Sequence, residues 1–469
     1  MIETLRLPLT KLAERIRTRK LSPVEITESC LNRITATEGS LNAYVRVMSD
    51  AARAAAKRAE AEIAGGVWKG PLHGVPVAIK DLYDIAGVPT TASSRQREHW
   101  IPETDSAVVA KLKSAGAVIV GKTHTHEFAY GGITPQTHNP WDVCRSPGGS
   151  SGGSAATLAT GGAFMATGTD TAGSIRLPAA LCGVVGLKAT FGRISRFGVT
   201  PLSWSLDHAG ALTRTAEDAA VCLQLLAGYD ARDPDSLAEP LLDLGETLQS
   251  DVPGLRIGVP CNYFFDRVDA EVEGAVRGAA ETLASLGATL VPVTIPMADD
   301  LFSILRTIEM PEASAYHTQM LQQTPELYTD DVRSRLESGM LVPAVRYIHA
   351  QRSRTVFKQR LHELFEHVDI ILAPSVPVPA GLTGTTSIIW PDGTEERLAV
   401  TYIRFTILAD VAGVPALTVP CGFTRSGLPI GLQLIGRPLD EATVLRAGVA
   451  YERATDWHCR YPPIGNVGI

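Results

Sequence analysis

Residues 146–188, SPGGSSGGSAATLATGGAFMATGTDTAGSIRLPAALCGVVGLK, form the most unusual stretch of this 469-residue chain. The stretch is rich in glycine, serine, alanine and threonine, yet Leu158 and Phe164 interrupt it, so it is not a low-complexity linker. Glycine pairs flank the adjacent hydroxyls of Ser150 and Ser151 and allow backbone conformations that other residues avoid. We therefore expect an ordered loop that brings its backbone close to a ligand.

A second element, GTDTAGSIR at residues 168–176, places Ser174 after a run of small residues. The N–H groups of such a run can face one point, which is how negative charge is stabilised in a transition state. Asp170 and Arg176 flank the run and can brace it through a charge-assisted contact. A Gly-Ser pair alone indicates only a turn, so the flanking charges are what favour a catalytic interpretation.

Lys80 follows the apolar run Pro76-Val77-Ala78-Ile79, which is typical of a buried strand. A buried lysine is costly unless it is paired or neutral, because desolvation lowers its pKa from about 10.4. The run alone leaves two interpretations open: a structural lysine paired with Asp81 or Asp84, or a neutral lysine that acts as a base.

Short apolar runs alternate with helical patterns on both sides of these motifs. Residues 75–79, 117–120, 255–259, 289–295 and 368–372 predict strands, and residues 24–34, 50–64, 107–114 and 270–286 predict helices. The alternation predicts an α/β fold with a mixed, mostly parallel β-sheet covered by helices on both faces. We expect one domain over residues 1–469, with a helical N-terminal segment at 1–65 and a mainly helical insertion at about 300–365.

Composition argues against several classes of protein. With 45% apolar residues and a formal net charge of -7, the chain is typical of a globular protein and lacks a clustered basic face for nucleic acid. No signal-peptide pattern and no membrane-length apolar run occurs, so we expect a cytoplasmic protein without nucleic-acid or membrane partners. Seven scattered cysteines without CxxC, and no HExxH, predict reduced thiols and neither metal nor cofactor.

The quoted stretch resembles the signature of the amidase signature family of serine amidohydrolases almost without gaps. The flanking sequences agree: GVPVAIKDLYDIAG around Lys80, KTHTHEFAYG, HNPWD, SLDHAGALTR, DIILAPSVP, AGVPALTVPCG and LPIGLQLIG. The resemblance covers essentially the whole chain. It implies the amidase signature fold and the hydrolysis of carbon–nitrogen bonds other than peptide bonds.

The resemblance also implies a Ser-Ser-Lys triad that works through an acyl-enzyme. Ser174 is the expected nucleophile, Ser150 in a cis peptide bond is the expected proton relay, and Lys80 is the expected base. The expected supporting groups are oxyanion-hole N–H groups of Thr171, Ala172, Gly173 and Ser174, and the side chains of Ser151, Asp170 and Arg176.

The substrate pocket is expected to have mostly neutral or aromatic walls. The candidate wall residues are Tyr130, Gly131, Gly132, Ile133, Trp204 and Leu206, together with residues 374–379 and a polar insertion at 385–400. Such walls favour a small uncharged, partly aromatic amide, anilide or carbamate, and an ester is a further option. We expect a monomer or homodimer.

Two other functions remain open. The glutamine-using A subunit of a tRNA-dependent amidotransferase shares the triad, although Leu177 stands where those subunits commonly have a glutamine, and Asp410 stands where many family members have an asparagine. An α/β-hydrolase with Ser150 as nucleophile fits Gly148-Gly149-Ser150-Ser151-Gly152, but it requires a strand immediately before the serine.

Overall fold

The computed structural model describes residues 2–240, 243–247 and 252–464. Its strands are β1 (Tyr44–Val47), β2 (Pro76–Lys80), β3 (Val118–Thr123), β4 (Met165–Asp170), β5 (Val185–Lys188), β6 (His208–Thr213), β7 (Arg256–Pro260), β8 (Thr289–Val293), β9 (Ile370–Pro374), β10 (Ser387–Ile389), β11 (Glu395–Arg397), β12 (Ala416–Phe423) and β13 (Pro429–Gly436). The runs that predicted strands therefore coincide, within a few residues, with β2, β3, β7, β8 and β9.

Helices fill most of the remaining chain. They are α1 (Ile2–Leu5), α2 (Leu9–Arg17), α3 (Pro23–Leu41), α4 (Ser49–Ala64), α5 (Ala107–Ser114), α6 (Gly152–Thr160), α7 (Arg176–Cys182), α8 (Ala216–Leu226), α9 (Leu244–Thr247), α10 (Ala270–Ser285), α11 (Leu301–Gln323), α12 (Asp330–Met340), α13 (Ala344–Leu364), α14 (Leu398–Ile403), α15 (Ile407–Ala412) and α16 (Glu441–Ala454). The start of α3 illustrates how the sequence stabilises a helix end. The Ser22 hydroxyl accepts hydrogen bonds from the N–H groups of Val24 and Glu25, and Pro23 occupies the first turn.

Eleven of the described strands form one sheet in the order β1-β3-β2-β4-β6-β5-β12-β13-β9-β7-β8, and β10 pairs with β11 as a separate hairpin. The predicted α/β fold with a mixed sheet is confirmed. Its parallel pairs are β3–β2, β2–β4, β9–β7 and β7–β8, in two groups. The strands between these groups, β6, β5, β12 and β13, pair antiparallel with their neighbours.

Helices cover both faces of the sheet. Side chains alternate along a strand, so neighbouring positions face opposite layers. On β13, a Cβ atom added at Gly431 would lie 2.6 Å from Cβ of Ala180 in α7. On β12, Leu417 instead faces α16. A Cβ atom added at Gly448 of α16 would lie 2.5 Å from Cδ2 of Leu417. The two-faced helical cover predicted from the sequence is therefore confirmed.

The long helices α11 and α13 of the stretch 301–364 pack on the short helix α15. Their buried side chains, among them Leu305 and Phe357, form one apolar cluster with Leu408 and Val411 of α15. The cluster also contains Ala172, so these helices support the loop that carries Ser174. None of the described helices is long and apolar enough to span a membrane.

Candidate active site

Lys80, the last residue of β2, is fully buried and surrounded by hydroxyl groups. Its Nζ atom lies 2.8 Å from three hydroxyl oxygens, those of Ser150, Ser151 and Thr169. Its backbone N–H donates to Thr167 Oγ1 at 2.7 Å. Thr167 and Thr169 are two residues apart on the adjacent strand β4, which places both side chains on one face. Sequence reasoning missed Thr169, although the spacing in Thr167-Gly168-Thr169 was a usable signal.

The interpretation of Lys80 as the partner of a neighbouring aspartate is wrong. Asp81 Oδ1 lies 2.8 Å from Nζ of Lys122, and the closest cation to Asp84 is Arg97 at 3.9 Å. Within the described ranges, no carboxylate lies within ion-pair distance of Lys80. The lysine is therefore held by neutral hydroxyls rather than by a charge.

Burial lowers the pKa of Lys80 well below its ordinary value, and the more distant charges of Asp170 and Asp207 only partly oppose this. A neutral amine has two N–H donors and one lone pair, and each serine or threonine hydroxyl can donate or accept. The three surrounding hydroxyls therefore satisfy the amine, with one of them donating to nitrogen. The geometry suits a lysine that takes up and releases a proton.

Ser150 lies in a tightly held loop before α6. The Gly149–Ser150 peptide bond is cis, as the family resemblance implies. The carbonyl of Ser150 accepts hydrogen bonds from the N–H of His126 and from Thr134 Oγ1, both at 3.1 Å. A Cβ atom added at Gly149 would lie 2.3 Å from the carbonyl of Ile133, so only glycine fits there.

Ser174 lies in the turn between β4 and α7, next to this loop. The N–H of Ser151 donates to the carbonyl of Ser174 at 3.3 Å, which joins the two segments. Gly173 has a φ of 114°, and a Cβ atom added there would lie 2.1 Å from Thr406 Oγ1. The side chain of Ser174 makes no hydrogen bond within the described part of the chain, and the residue is 8% exposed.

Three of the four amides expected in an oxyanion hole are free to act as donors. In residues 2–240, 243–247 and 252–464, the N–H groups of Thr171, Ala172 and Ser174 find no acceptor. The N–H of Gly173 instead donates to Asp170 Oδ1 at 2.6 Å. The expectation that Gly173 contributes a donor is therefore not met in this structure, because the carboxylate takes its N–H.

Asp170 and Arg176 brace the turn, as the sequence predicts. The Asp170 carboxylate accepts two hydrogen bonds from the guanidinium of Arg176, each at 3.0 Å. Burial alone would raise the pKa of Asp170, but the charge and hydrogen bonds of Arg176 outweigh it and hold that pKa below its usual range. Arg176 also donates to Asp410 Oδ2 at 2.7 Å and to Gln433 Oε1 at 3.2 Å, two partners that the sequence did not indicate.

Replacing Arg176 by methionine is expected to lower the free energy of unfolding by about 3–5 kcal/mol, because the buried carboxylate of Asp170 loses its cation. Chemical denaturation measures the change. The matched control is Arg333→Met, which breaks a surface pair with Asp330 and should cost less than about 1 kcal/mol. Equal losses of unfolding free energy in both variants would contradict this stabilising role of Arg176.

Lys188 and His208 form a second buried polar group behind the turn, which sequence reasoning missed. Burial lowers the pKa of Lys188 to about 7 against the opposing charge of Asp410, and burial also lowers the pKa of His208 well below its ordinary value. The neutral imidazole donates from Nδ1 to the carbonyl of Asp170 at 3.1 Å, and its Nε2 lies 3.1 Å from Lys188 Nζ. This group therefore supports the backbone of the turn.

A cavity of about 200 Å³ opens beside His208. Thr169 and Thr171 line its inner end, and Trp204, with its side chain 67% exposed, lies at its mouth. The rim is more charged than the neutral walls that the sequence predicted, since Arg196 and Asp233 belong to it. Arg196 pairs with Asp233 at 3.2 Å, and the lining also includes Arg232, Asp207 and Asp235.

The other candidate wall residues lie elsewhere. Leu206 is fully buried in the cluster beneath Ala172, and Tyr130 is buried with its ring below the guanidinium groups of Arg306 and Arg335. Neither borders the cavity. Ile133 lies against the loop of Ser150, next to Gly149, whereas Gly131 lies against His126 and Gly132 lies near Ile403.

The insertion at 385–400 forms the β10–β11 hairpin and the start of α14. Its Trp390 is buried against Leu177 and Leu181 of α7 and against Tyr402. The hairpin therefore covers the helix that follows Ser174. All seven cysteines are free, and in the part of the chain described no group of three or more His, Cys, Asp or Glu side chains could hold a metal ion.

Comparison with known proteins extends this description. Residues 25–445 match the family model Amidase. The chain is 54% identical over 464 residues to an amidase of Pseudomonas putida, covering 99% of each protein. It is 41% identical over 481 residues to the A subunit of the glutamyl-tRNA(Gln) amidotransferase of Anaeromyxobacter dehalogenans, covering 96% of each.

A solved structure superposes on nearly the whole chain. It is described as a vestigial protein complex that reveals the evolutionary origins of an s-triazine catabolic enzyme. The TM-score is 0.92 at 36% sequence identity, and the superposition covers 95% of this chain and 98% of the other. Sequence and fold therefore point to the same group of proteins.

Proposed function

Since this chain belongs to the amidase family of amide hydrolases, we propose that it cleaves the C–N bond of an uncharged substrate, with Ser174 as nucleophile, Ser150 as proton relay and Lys80 as base. One observation carries the proposal: a buried lysine, held only by hydroxyls, lies 2.8 Å from Ser150 Oγ beside the turn of Ser174. A lysine kept neutral by burial is a base rather than a structural cation.

Acylation begins when Ser174 Oγ attacks the substrate carbonyl carbon. Its proton passes to Ser150 Oγ, and the Ser150 proton passes to Lys80 Nζ. The carbonyl oxygen becomes negatively charged and is stabilised by the free N–H groups of Thr171, Ala172 and Ser174. The C–N bond then breaks, the leaving nitrogen takes the proton back through Ser150, and the acyl group stays on Ser174.

Deacylation repeats these steps with water in place of the serine. Water attacks the acyl carbon and gives its proton to the relay of Ser150 and Lys80. The bond to Ser174 Oγ breaks, and that oxygen recovers a proton from the relay. The products are a carboxylic acid from an amide, or a carbonic acid monoester from a carbamate, together with the amine released earlier.

The substrate is proposed to be a small, uncharged and partly aromatic amide, anilide or carbamate, with esters as a further option. The exposed indole of Trp204 and the neighbouring Pro201 and Leu202 give the cavity an apolar side. The charged rim residue Arg196 is already paired with Asp233, so it does not call for a charged substrate.

Assays of the purified protein with an anilide, a urethane, a urea and glutamine test this proposal. We expect turnover of the anilide or the urethane without any added partner. Turnover of glutamine alone would overturn the proposal and favour the amidotransferase reaction.

The amidotransferase A subunit is the second candidate, and the 41% identity to such a protein favours it. Leu177 argues against it, because this apolar side chain is buried among Leu181, Trp390 and Tyr402 and offers no hydrogen bond. The α/β-hydrolase alternative has less support, since a loop rather than a strand immediately precedes Ser150.

We expect kcat/KM to rise from mildly acidic to alkaline pH and then to level off. Only neutral Lys80 accepts a proton, and burial lowers its pKa well below the usual value of about 10.4, so the rise should be centred well below that pH. The measurement uses a substrate that does not ionise. Maximal activity at about pH 5, or loss on chelation with recovery on adding zinc, would indicate a carboxylate or metal mechanism instead.

Asp207→Asn is expected to move this rise to lower pH. The charge of Asp207 raises the pKa of Lys80, so a neutral residue of similar size should let Lys80 lose its proton more easily. The matched control is Asp235→Asn at the cavity rim, which should leave the midpoint unchanged. A shift to higher pH in Asp207→Asn would contradict Lys80 as the titrating base.

A further inference from the structure

An apolar cleft of about 580 Å³ adjoins the cavity that Thr169 and Thr171 line. The two spaces share Pro201, Leu202 and Trp204 as lining residues. Beyond this shared wall, the cleft runs between α11 and the start of α13, where Tyr316 and Val342 line it. The two spaces therefore adjoin at Trp204, with Thr169 and Thr171 on one side and the helical stretch on the other.

Glu312 is the only charged residue that lines the described part of the cleft, and its carboxylate is fully used. One oxygen accepts from Ser205 Oγ at 2.7 Å and from the Tyr347 hydroxyl at 2.8 Å. The other oxygen accepts from Ser203 Oγ at 2.6 Å and from the N–H of Ser205 at 3.2 Å. The charge is therefore satisfied by the protein and is not available to bind a cation.

These hydrogen bonds also fix the shape of the cleft. Ser203 and Ser205 flank Trp204, and their bonds to Glu312 tie the tryptophan loop to α11, while Tyr347 adds a bond from α13. A preformed apolar wall lowers the entropic cost of binding. The volume is also in the range of small-molecule sites.

We propose that this cleft binds the apolar, uncharged arm of the enzyme's own substrate while the reacting carbonyl lies at Ser174. The inference rests on the proposed amide hydrolysis and extends it to a substrate class: amides that carry an aromatic or branched apolar group several bonds from the scissile C–N bond. The shared wall of Pro201, Leu202 and Trp204 favours this occupant, because a substrate in the neighbouring cavity would extend into the cleft past the exposed Trp204.

Acetanilide, phenylbutyranilide and para-benzylacetanilide test the inference, because they carry no arm, an acyl-side arm and an amine-side arm. The wild-type protein should give a higher kcat/KM for at least one extended substrate. In Val342→Asp, which places a charge in the cleft, the ratio of kcat/KM for the extended substrate over acetanilide should fall about tenfold.

Val345→Asp is the matched control, since Val345 is 62% exposed, lies three residues further along and does not line the cleft. This variant should keep the wild-type ratio. Equal ratios in all three proteins would overturn the inference. So would a change of oligomeric state in Val342→Asp, seen by sedimentation, because the cleft would then be a contact between copies.

Binding of phenylbutyranilide and para-benzylacetanilide to Ser174→Ala protein, measured by calorimetry, separates this inference from the proposed function. If wild-type protein hydrolyses none of the three amides but Val342→Asp weakens binding of an extended amide about tenfold, the cleft inference stands and amide hydrolysis falls. If acetanilide is hydrolysed but neither extended amide is preferred or bound more tightly, hydrolysis stands and the cleft inference falls.

Discussion

Ser174→Ala is expected to reduce kcat by about a millionfold and to leave the fold intact. The substitution removes the oxygen that is proposed to form the acyl-enzyme, and alanine has no group that can replace it. The side chain makes no hydrogen bond within the described residues, so its loss should cost little stability. Turnover of an anilide and thermal unfolding of the two proteins measure both parts of the prediction.

The control for this variant is Ser334→Ala, the same substitution on the exposed face of α12, which should leave both activity and stability unchanged. Ser150→Ala separates the competing mechanisms. If Ser174→Ala kept the wild-type rate while Ser150→Ala lost it, Ser150 would be the nucleophile and the triad would be misassigned.

Lys80→Ala is expected to lower kcat/KM by about four orders of magnitude, the upper end of what a general base contributes. Without the amine, no group accepts the Ser150 proton as Ser174 attacks. Lys80→Met keeps the apolar stem in its buried site and should lose as much activity, which shows that the loss does not come from a cavity. Initial rates over a range of substrate concentrations give kcat/KM for both variants.

Replacements of three histidines, His124, His126 and His208, test the assignment of Lys80 as the base. Each of these histidines lies in the loops and strands around the candidate triad. Each should cost far less than Lys80→Ala. His124 contacts Ser93 at 3.2 Å and His208 contacts Lys188, so neither is hydrogen-bonded to the relay serine side chains. Loss of all activity on changing one histidine, with Lys80→Ala still active, would show that Lys80 has been wrongly assigned as the base.

Local signals gave reliable predictions for the outer parts of the sheet. The run before Lys80 formed β2, and Ser22 capped α3, because both depend on residues close in sequence. The central strands β5 and β6, VGLK and HAGALT, contain glycine and lack a continuous apolar run, so their patterns did not predict strands. Their antiparallel pairing with distant segments is what forms them.

The residues of the candidate triad were identified through the family resemblance, because the quoted stretch keeps both serines and Lys80 follows a recognisable strand. The contacts of Arg176 were only half predicted. Asp170 is six residues away and was expected, whereas Asp410 is 234 residues away and no local pattern indicates that it shares the same guanidinium.

The sequence by itself determined the helices and strands that follow local periodicity, and the family whose signature spans residues 146–188. Only the tertiary structure decided the environment of each side chain. Trp204 and Leu206 are both apolar and two residues apart, yet one is exposed at the cavity and the other is fully buried. The reason is physical: conformational preference acts over a few residues, whereas burial and charge pairing depend on what distant segments bring into contact, such as the bonds from Ser203 and Ser205 to Glu312.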